Sequence, residues 1–485
     1  MPSVRRMAEA FGYQLVFRVV GMVASIVTVA LTVRHLGAGS YGHLTTAIVF
    51  ISLWTSFTEL GIGAVVVRRV TSGGGDLERL VRINTGLSLV YGVPLTIIAT
   101  ISGLVVYSGE GQVVMVLPIV AAGLALTTVS SCVQPVFLAT VRFKAVAWSD
   151  VVSRLLSLAV TLVLLQTGAG IVWFAVVQVV PPLVVLVVQG VAASRIVSWR
   201  PVFALRESLD LLRESLPQTA VLVIGVLYWR IDGVMLSLLD TPAQVGTYYL
   251  ATTLAFTLSI IPTFFATSTL STMTGLWGRD RDRFATFTAR SVETMMFVGA
   301  PIAVVGLVLA EPIMRVIGSA EFVADGTPTL AVLFAAVGVT FLNGTVSQAL
   351  FASHQQAFLV RLNVVNLAMN IGLNLVLIPL WGAVGAAAAL LVTELIGQLV
   401  ASWKLSRHSA YRTPWAFAVR LLLSLAAAAG VAALLRPAPV LAALAAAGVA
   451  YVLVNVVLGP VKVRTIRDML DAASDDASDD EVPVP

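Results

Sequence analysis

The sequence predicts an all-α polytopic membrane protein of about fourteen transmembrane helices, built as two six-helix lobes with pseudo-two-fold symmetry and two C-terminal helices. Three observations carry this expectation. Of 485 residues, 58% are hydrophobic and only 11% charged, whereas soluble domains carry about 25% charged residues. Apolar runs long enough to cross a bilayer, about 20 residues, recur from end to end; a barrel would instead show alternating strands of about 10 residues. The basic residues also segregate, 25 of the 30 Lys and Arg falling on one side.

In chain order the expected spans are 11–33, 43–67, 83–107, 112–138, 151–167, 170–194, 215–239, 245–273, 287–310, 327–351, 359–380, 382–402, 414–435 and 438–459. The first follows Arg5 and Arg6, and it is too long, and too interrupted by Arg18, to be a cleavable signal core. Against the 25 basic residues on one side, only Arg34, Arg315 and Arg436 lie in loops on the other, and Arg18 and Arg230 lie inside spans. Because Lys and Arg collect in cytoplasmic loops, both termini are expected in the cytoplasm and the chain in the plasma (inner) membrane.

The expected domain division is an N-terminal six-helix lobe (1–194), a basic cytoplasmic linker (195–214), a second six-helix lobe (215–405), spans thirteen and fourteen (406–460) and an acidic tail (461–485). The tail ends in "DAASDDASDDEVPVP", a composition that predicts disorder. A faint repeat supports the two lobes: "LGAGSYGHLTTA" follows span one and "LLDTPAQVGTYYLATTLA" follows span seven, aligning Gly42 and Ala47 with Gly246 and Ala251. Repeats related by an axis along the membrane normal are a frequent transporter plan. Within the second lobe, Pro262 predicts a bend in span eight, since proline removes a helix hydrogen bond.

Several motifs point nowhere. "GAGSYG" (37–42) matches G-x-G-x-x-G but follows a membrane helix rather than a strand, so it reads as a tight turn. "SGGGD" (72–76) lacks the Lys-Ser/Thr of a phosphate loop, and the four histidines show no metal-ligand spacing. Cys132, the only cysteine, excludes a disulfide framework and reads as a packing residue. No catalytic constellation appears, so no enzyme and no cofactor is expected, and no nucleic-acid partner.

The informative residues are polar ones inside spans. Residues three and four apart share a helix face. Span one carries Gln14, Arg18, Gly21, Ser25, Thr28 and Thr32 in one stripe, and span two carries Thr45, Ser52, Thr55, Ser56, Glu59 and Gly63. Span eleven carries an amide ladder, Asn363, Asn366, Asn370 and Asn374; Asn343 and Ser347 lie in span ten, and Glu394 and Gln398 in span twelve. An isolated Ser or Thr serves helix packing at about 0.6 kcal/mol. A charge at the bilayer centre costs about 2.5–3.5 kcal/mol on insertion scales and must face protein or water. Stripes carrying Arg18, Glu59, Asp232 or Glu394 are therefore expected to line a hydrated cavity shared by the lobes. Arg230 and Asp232 are about 200° apart around span seven, so both are not expected to point straight into one cavity unless the helix is irregular.

Blocks spread along the chain, among them "RHLGAGSYGHLTTA", "FTELGIGAVVVRR", "VQPVFLATVRFKAVAWSDVVSR", "RIDGVMLSLLDTPAQVGTYYLATTLA" and "NIGLNLVLIPLWGAVGAAAALLVTELI", resemble the polysaccharide transporter (Wzx-type) flippases of the multidrug/oligosaccharidyl-lipid/polysaccharide exporter superfamily. The resemblance implies alternating access by two lobes and export of a lipid-linked oligosaccharide, on an undecaprenyl pyrophosphate carrier. It also implies membrane lipid, and a polysaccharide polymerase or glycosyltransferases, as partners. Arg18, with Arg230, suits the phosphates, since guanidinium matches phosphate oxygens. Gln14, Ser25 and the Asn ladder suit sugar hydroxyls. Glu59, with Asp232 and Glu394 as further candidates, either binds a coupling proton or sodium ion or, for Glu59, neutralises Arg18. A cation-coupled multidrug exporter and a lipid II flippase are alternatives of the same fold. A membrane glycosyltransferase or ligase is the remote one, because its catalytic groups need larger outer loops.

Overall fold

The computed structural model describes residues 4–460 except 143, with side chains from residue 19 onward. Among the described residues all regular structure is helical. The first helix, α1 (Val4–Leu53), has 50 residues, which run straight would reach about 75 Å. It does not run straight: Gly37 has φ 73° inside it. Beyond that glycine the chain returns. His35 lies 3.0 Å from the Ala169 carbonyl and His43 3.6 Å from Glu110, both in loops at the end poor in basic residues, whereas Arg69 further on pairs with Glu214 at the basic end. Gly37 is thus the turn of a helical hairpin, in the conformation that glycine adopts without steric cost.

The rest of the first lobe follows as short helices. Span two finishes with α2 (Ser56–Glu59) and α3 (Ile62–Thr71), and span three is α4 (Leu77–Val106). Span four is α5 (Gly111–Ser131) with α6 (Gln134–Thr140), span five α7 (Lys144–Gln166), and span six α8 (Ile171–Val177) with α9 (Val180–Ser194). Spans two, four and six, expected as single helices, are therefore each interrupted. Span two breaks most sharply, with Leu60 and Gly61 both at positive φ, 48° and 63°.

The second lobe begins with α10 (Leu205–Leu239), so half of the expected linker is helix continuous with span seven. Span eight is α11 (Pro242–Phe256), a 3₁₀ turn (Thr257–Ser259) and α12 (Ile260–Arg279). The expected bend is there: Pro262 has no N–H to offer the Leu258 carbonyl, and the turn sits on that carbonyl. The repeat that aligns Gly42 with Gly246 places this turn opposite the Trp54–Thr55 break of span two, so both lobes bend the same helix at the same level. Then come α13 (Arg281–Ile317), α14 (Ala320–Ala352) and α15 (Gln356–His408). The last is a second hairpin of 53 residues, turned at Gly382 (φ 54°), and its ends meet where Gln355 lies 3.0 Å from His408. Among the described residues twelve helical stretches are long and apolar enough to cross a membrane, and two of them are these double-length hairpins, which makes fourteen crossings. Finally α16 (Trp415–Leu434) and α17 (Val440–Leu458) lie against α13, the Tyr451 hydroxyl donating to the Phe297 carbonyl at 2.8 Å. They are additions to a twelve-span core.

The lobes close on each other at the end poor in basic residues. There the residues matched by the repeat meet: a Cβ on Gly42 would fall 1.7 Å from the Pro242 carbonyl oxygen, and one on Gly246 would fall 3.2 Å from Gly42 Cα. Around this contact Tyr41 sets its ring edge-on to Phe322 and Tyr249, at 6.3 and 6.5 Å. Arg34 donates to the Gly318 carbonyl at 3.1 Å and to the Val316 carbonyl, and the Glu321 carboxylate accepts from the Ala38 N–H at 2.9 Å. A cation thus sits on the C-terminal carbonyls of α13 and a carboxylate at the start of the returning arm of α1, each matching the dipole it meets. Toward the basic end the first arm of α1 and α12 each carry exposed residues. Val19, Val20, Val23 and Val27 are exposed on the one and Thr263, Phe264, Thr267 and Ser271 on the other, and α12 packs on α13 and α14 of its own lobe.

Gly42→Ala is expected to destabilise the solubilised protein by about 1–3 kcal/mol, the usual range for overpacking. Gly39→Ala, whose Cβ meets nothing within 4 Å, should leave its melting temperature unchanged; equal melting of the two variants would rule out the close approach.

Candidate functional site

Two buried carboxylates stand about one turn apart in depth in the second lobe. Asp232, on α10, is 3% exposed. Its Oδ2 accepts from the Tyr248 hydroxyl at 3.0 Å and its Oδ1 from the Asn374 amide at 3.1 Å, and the same amide donates to Asn370 Oδ1 at 2.9 Å. Glu394, on the returning arm of α15, is 2% exposed. It accepts from the Tyr228 hydroxyl at 2.5 Å, the Asn343 amide at 3.0 Å and the Thr340 hydroxyl at 3.5 Å. Tyr228 and Asp232 lie four residues apart on one face of α10, which joins the clusters into one polar strip. Among the described residues neither carboxylate has a cationic partner, and every donor to them is neutral. The buried Asn366 Oδ1 and Asn374 Oδ1 meanwhile have no hydrogen-bond partner. Carboxylate and amide oxygens grouped in this way are hard ligands suited to a proton or a small cation.

The amide ladder is largely turned inward. Asn366, Asn370 and Asn374 are buried: Asn366 presses on Gly397, where a Cβ would come within 2.6 Å of its amide nitrogen, and the other two serve Asp232. They face helices of their own lobe because α15 folds back on itself, and that leaves only Asn363 of the four on an open surface. Asn363 lines a cavity of about 210 Å³ with Tyr228, Asn343, Ser347 and Glu394. A second cavity, of about 310 Å³, is lined by Val49 of the first lobe and by Trp229, Arg230, Asp232, Tyr248 and Thr252. Arg230 and Asp232 thus do border one space, against the expectation from their angular separation. They do so at different depths, since Arg230 is exposed and Asp232 buried.

In the first lobe, Glu59 is half-buried at the end of α2, immediately before the Leu60–Gly61 break. Its carboxylate lies over Gly63, where a Cβ would be 2.6 Å from Oε1, and it makes no hydrogen bond or ion pair among the described residues. The break beside it is held from both sides: Thr219 of α10 donates to the Leu60 carbonyl at 2.6 Å, and Tyr91 and Ser131 donate to the Thr58 carbonyl at 2.6 and 3.0 Å. Gln14 and Arg18 lie outside the residues whose side chains are described. Ser25 accepts from Arg154 at 2.6 Å, and Arg154 also donates to Asp150 at 3.1 Å. Those three, with Thr28, Ser153, Ser157 and Gln178, line a cavity of about 300 Å³. Arg154 was counted on sequence with the cations of the inner side, near the start of span five; the Asp150–Arg154 spacing of four was the signal that the two share a helix face. Tyr228 and Tyr248 were not singled out, because aromatic residues in an apolar span carry no pattern of their own.

The sequence matches, over residues 8–273, the family described as polysaccharide biosynthesis protein. That match covers more than half of the chain. The chain belongs to the polysaccharide biosynthesis protein family. No curated protein sequence matches it. Among solved structures, "Lipid II flippase MurJ, inward closed conformation" superposes with a TM-score of 0.76 at 13% identity, covering 91% of this chain and 98% of that one. An inward-facing multidrug resistance MATE family transporter of the MOP superfamily gives 0.66 at 14% identity, covering 81% and 95%. A MOP superfamily transporter from Pyrococcus furiosus gives 0.57 at 15%, covering 81% and 94%. These likenesses show the fold: an all-α, multi-pass membrane architecture. With the family, they support a membrane flippase or exporter.

In such a fold the second set of contacts between lobes matters, and it lies at the basic end. Arg68 and Arg69 of α3 both donate to the Glu214 carboxylate on α10, the Arg69 Nε contact measuring 2.9 Å, and Arg79 of α4 donates to Glu207 at 2.6 Å. Hydrogen bonds from Arg69 and Arg68 pull the Glu214 carboxyl below the usual carboxylate range. A depressed carboxyl contributes its pairing above the unfolded value, about 4.3, and loses it only as pH falls through the lower folded value. This latch is therefore charged throughout the physiological range. With spin labels at Ser72 and Gly278, Glu214→Gln should broaden the distance distribution toward longer distances relative to the wild type at the same pH. A wild-type distribution in Glu214→Gln would remove the latch.

Proposed function

We propose that the protein flips a lipid-linked oligosaccharide, on an undecaprenyl pyrophosphate carrier, across the plasma membrane by alternating access, with its basic end in the cytoplasm and the uptake of a proton or sodium ion driving the cycle. The observation that carries the coupling is the pair of buried carboxylates, Asp232 and Glu394, hydrogen-bonded only by neutral donors among the described residues. A buried charge left in that state is costly, and a cation bound there would offset it. Asp232 also touches the space between the lobes, beside Val49, so its occupancy can bias how they sit. Glu59 is the first-lobe candidate for the same role, standing at a backbone break that a change of charge could move.

The family supports the saccharide cargo, and the polar groups on open cavity walls suit it. Arg154 with Asp150 and Ser25, Asn363, and the exposed Arg230 offer donors and acceptors to hydroxyls and phosphates; for Gln14 and Arg18 the argument rests on the stripe in the sequence. The binding of membrane lipid, and of a polymerase or glycosyltransferases that make and use the cargo, belongs to the same proposal. The lipid II and multidrug alternatives share the fold, and the acidic, aromatic lining expected for drug cations is confined to the second lobe.

The test is a proteoliposome assay with a fluorescent oligosaccharide on undecaprenyl diphosphate, with and without an imposed proton or sodium gradient. Asp232→Asn should lose the gradient response at least about tenfold, a change of about 1.4 kcal/mol, while gradient-free equilibration of the cargo persists. Wild-type gradient response in Asp232→Asn and Glu394→Gln alike would exclude the second lobe as the coupling site and leave Glu59→Gln as the decisive variant.

A further inference from the structure

At the basic end of the first lobe three cations converge on one cavity. Arg142, Lys144 and Arg195 line a space of about 480 Å³ whose floor is apolar, formed by Phe137, Ala145 and Ile196. All three are exposed, and among the described residues none has an ion-pair partner. Their neighbourhood differs from that of Arg68, Arg69 and Arg79, which are paired with Glu214 and Glu207.

The position of the cations says what they would meet. Lys144 opens α7 at its positive dipole end. One and two turns further, on the same face, come Trp148 and Val152, 53% and 36% exposed. Arg195 closes α9, and one and two turns before it on the same face come Val191 and Val187, 52% and 55% exposed. In a chain that spans a membrane, exposed apolar ridges of this kind face acyl chains. Lys144 and Arg195 thus each end a lipid-facing ridge, at the level where headgroups lie, with Arg142 beside them in the cavity, and Trp148 has the amphipathic ring favoured at that interface. A soluble anion would have no use for the two ridges. An acidic segment of the chain would need the cations without the ridges.

We propose that Arg142, Lys144 and Arg195 form a binding site for the phosphate headgroup of an anionic phospholipid, whose acyl chains lie along the ridges of α7 and α9. Basic pockets between transmembrane helices bind such headgroups, with about 1 kcal/mol per cation near the surface. The lipid would brace spans four, five and six of the first lobe, and this inference does not depend on the cargo or on its coupling ion.

The test uses the full chain in phosphatidylcholine nanodiscs, with phosphatidylglycerol titrated in and bound lipid counted by native mass spectrometry. The wild type should retain one phosphatidylglycerol in preference to phosphatidylcholine. Arg142→Gln/Lys144→Gln/Arg195→Gln should weaken that binding on the order of 100-fold. Arg206→Gln/Arg213→Gln/Arg361→Gln, which removes the same charge elsewhere at the basic end, should keep it. An equal loss in both triples would reduce the effect to diffuse surface charge and overturn the site. Displacement of the lipid by millimolar inorganic phosphate would assign the site to a soluble anion instead. A tenfold tightening when the acidic residues of 471–481 are changed to their amides would assign it to the tail; either result overturns the proposal.

Discussion

Everything in this molecule hangs on the contact between two glycines, Gly42 and Gly246, that occupy equivalent places in the two lobes. No side chain fits between them and the opposing backbone: the space beside Gly42 is filled by a carbonyl oxygen, and that beside Gly246 by another strand of main chain. Because the lobes touch here through backbone, the surrounding aromatic residues, the Arg34 and Glu321 contacts and the hairpin turn at Gly37 can all seat at once. A second set of contacts joins the lobes at the basic end, where Arg68 and Arg69 meet Glu214 and Arg79 meets Glu207. A fold joined at these two ends can pivot on one when the other is released.

The carboxylates gain their meaning from that geometry. Asp232 lies on α10, the helix that runs from the Glu214 latch at the basic end, past the Leu60 carbonyl, to Val49 near the closed end. No other second-lobe element touches the first lobe at so many levels. A cation arriving at Asp232 or Glu394 would act on this helix directly, through Tyr228 and Asn374, without a relay through distant packing. The Arg68/Arg69–Glu214 latch, by contrast, keeps its charge at every physiological pH, so it restrains the basic end without sensing protons itself.

The spans were legible because hydrocarbon allows few alternatives to a helix of known length, and the basic asymmetry fixed their order. The glycine of "GAGSYG" was read correctly as a turn, and Pro262 as a bend. What the sequence hid was which neighbour each polar stripe would meet. Asn366, Asn370 and Asn374 are regularly spaced whether they face water or another helix, and the fold-back of α15 at Gly382 decided for the helix. The break at Leu60 was equally hidden, since a leucine at positive φ has no sequence signature and is held there by Thr219, Tyr91 and Ser131 from other helices. The role of Arg154 was hidden because charge counting assigns a residue to a side without saying which neighbour, here Asp150 and Ser25, its side chain meets.

The central claim is that the end closed by Gly42 and Gly246 must open in each cycle. Cysteines at Gly39 and Ala320, both exposed beside that contact, can be joined by a short disulfide-forming cross-linker in a Cys132→Ser background. Cross-linked protein in proteoliposomes should stop translocating the lipid-linked oligosaccharide, and a reductant should restore the rate. Translocation at the uncross-linked rate with the link intact would contradict the account.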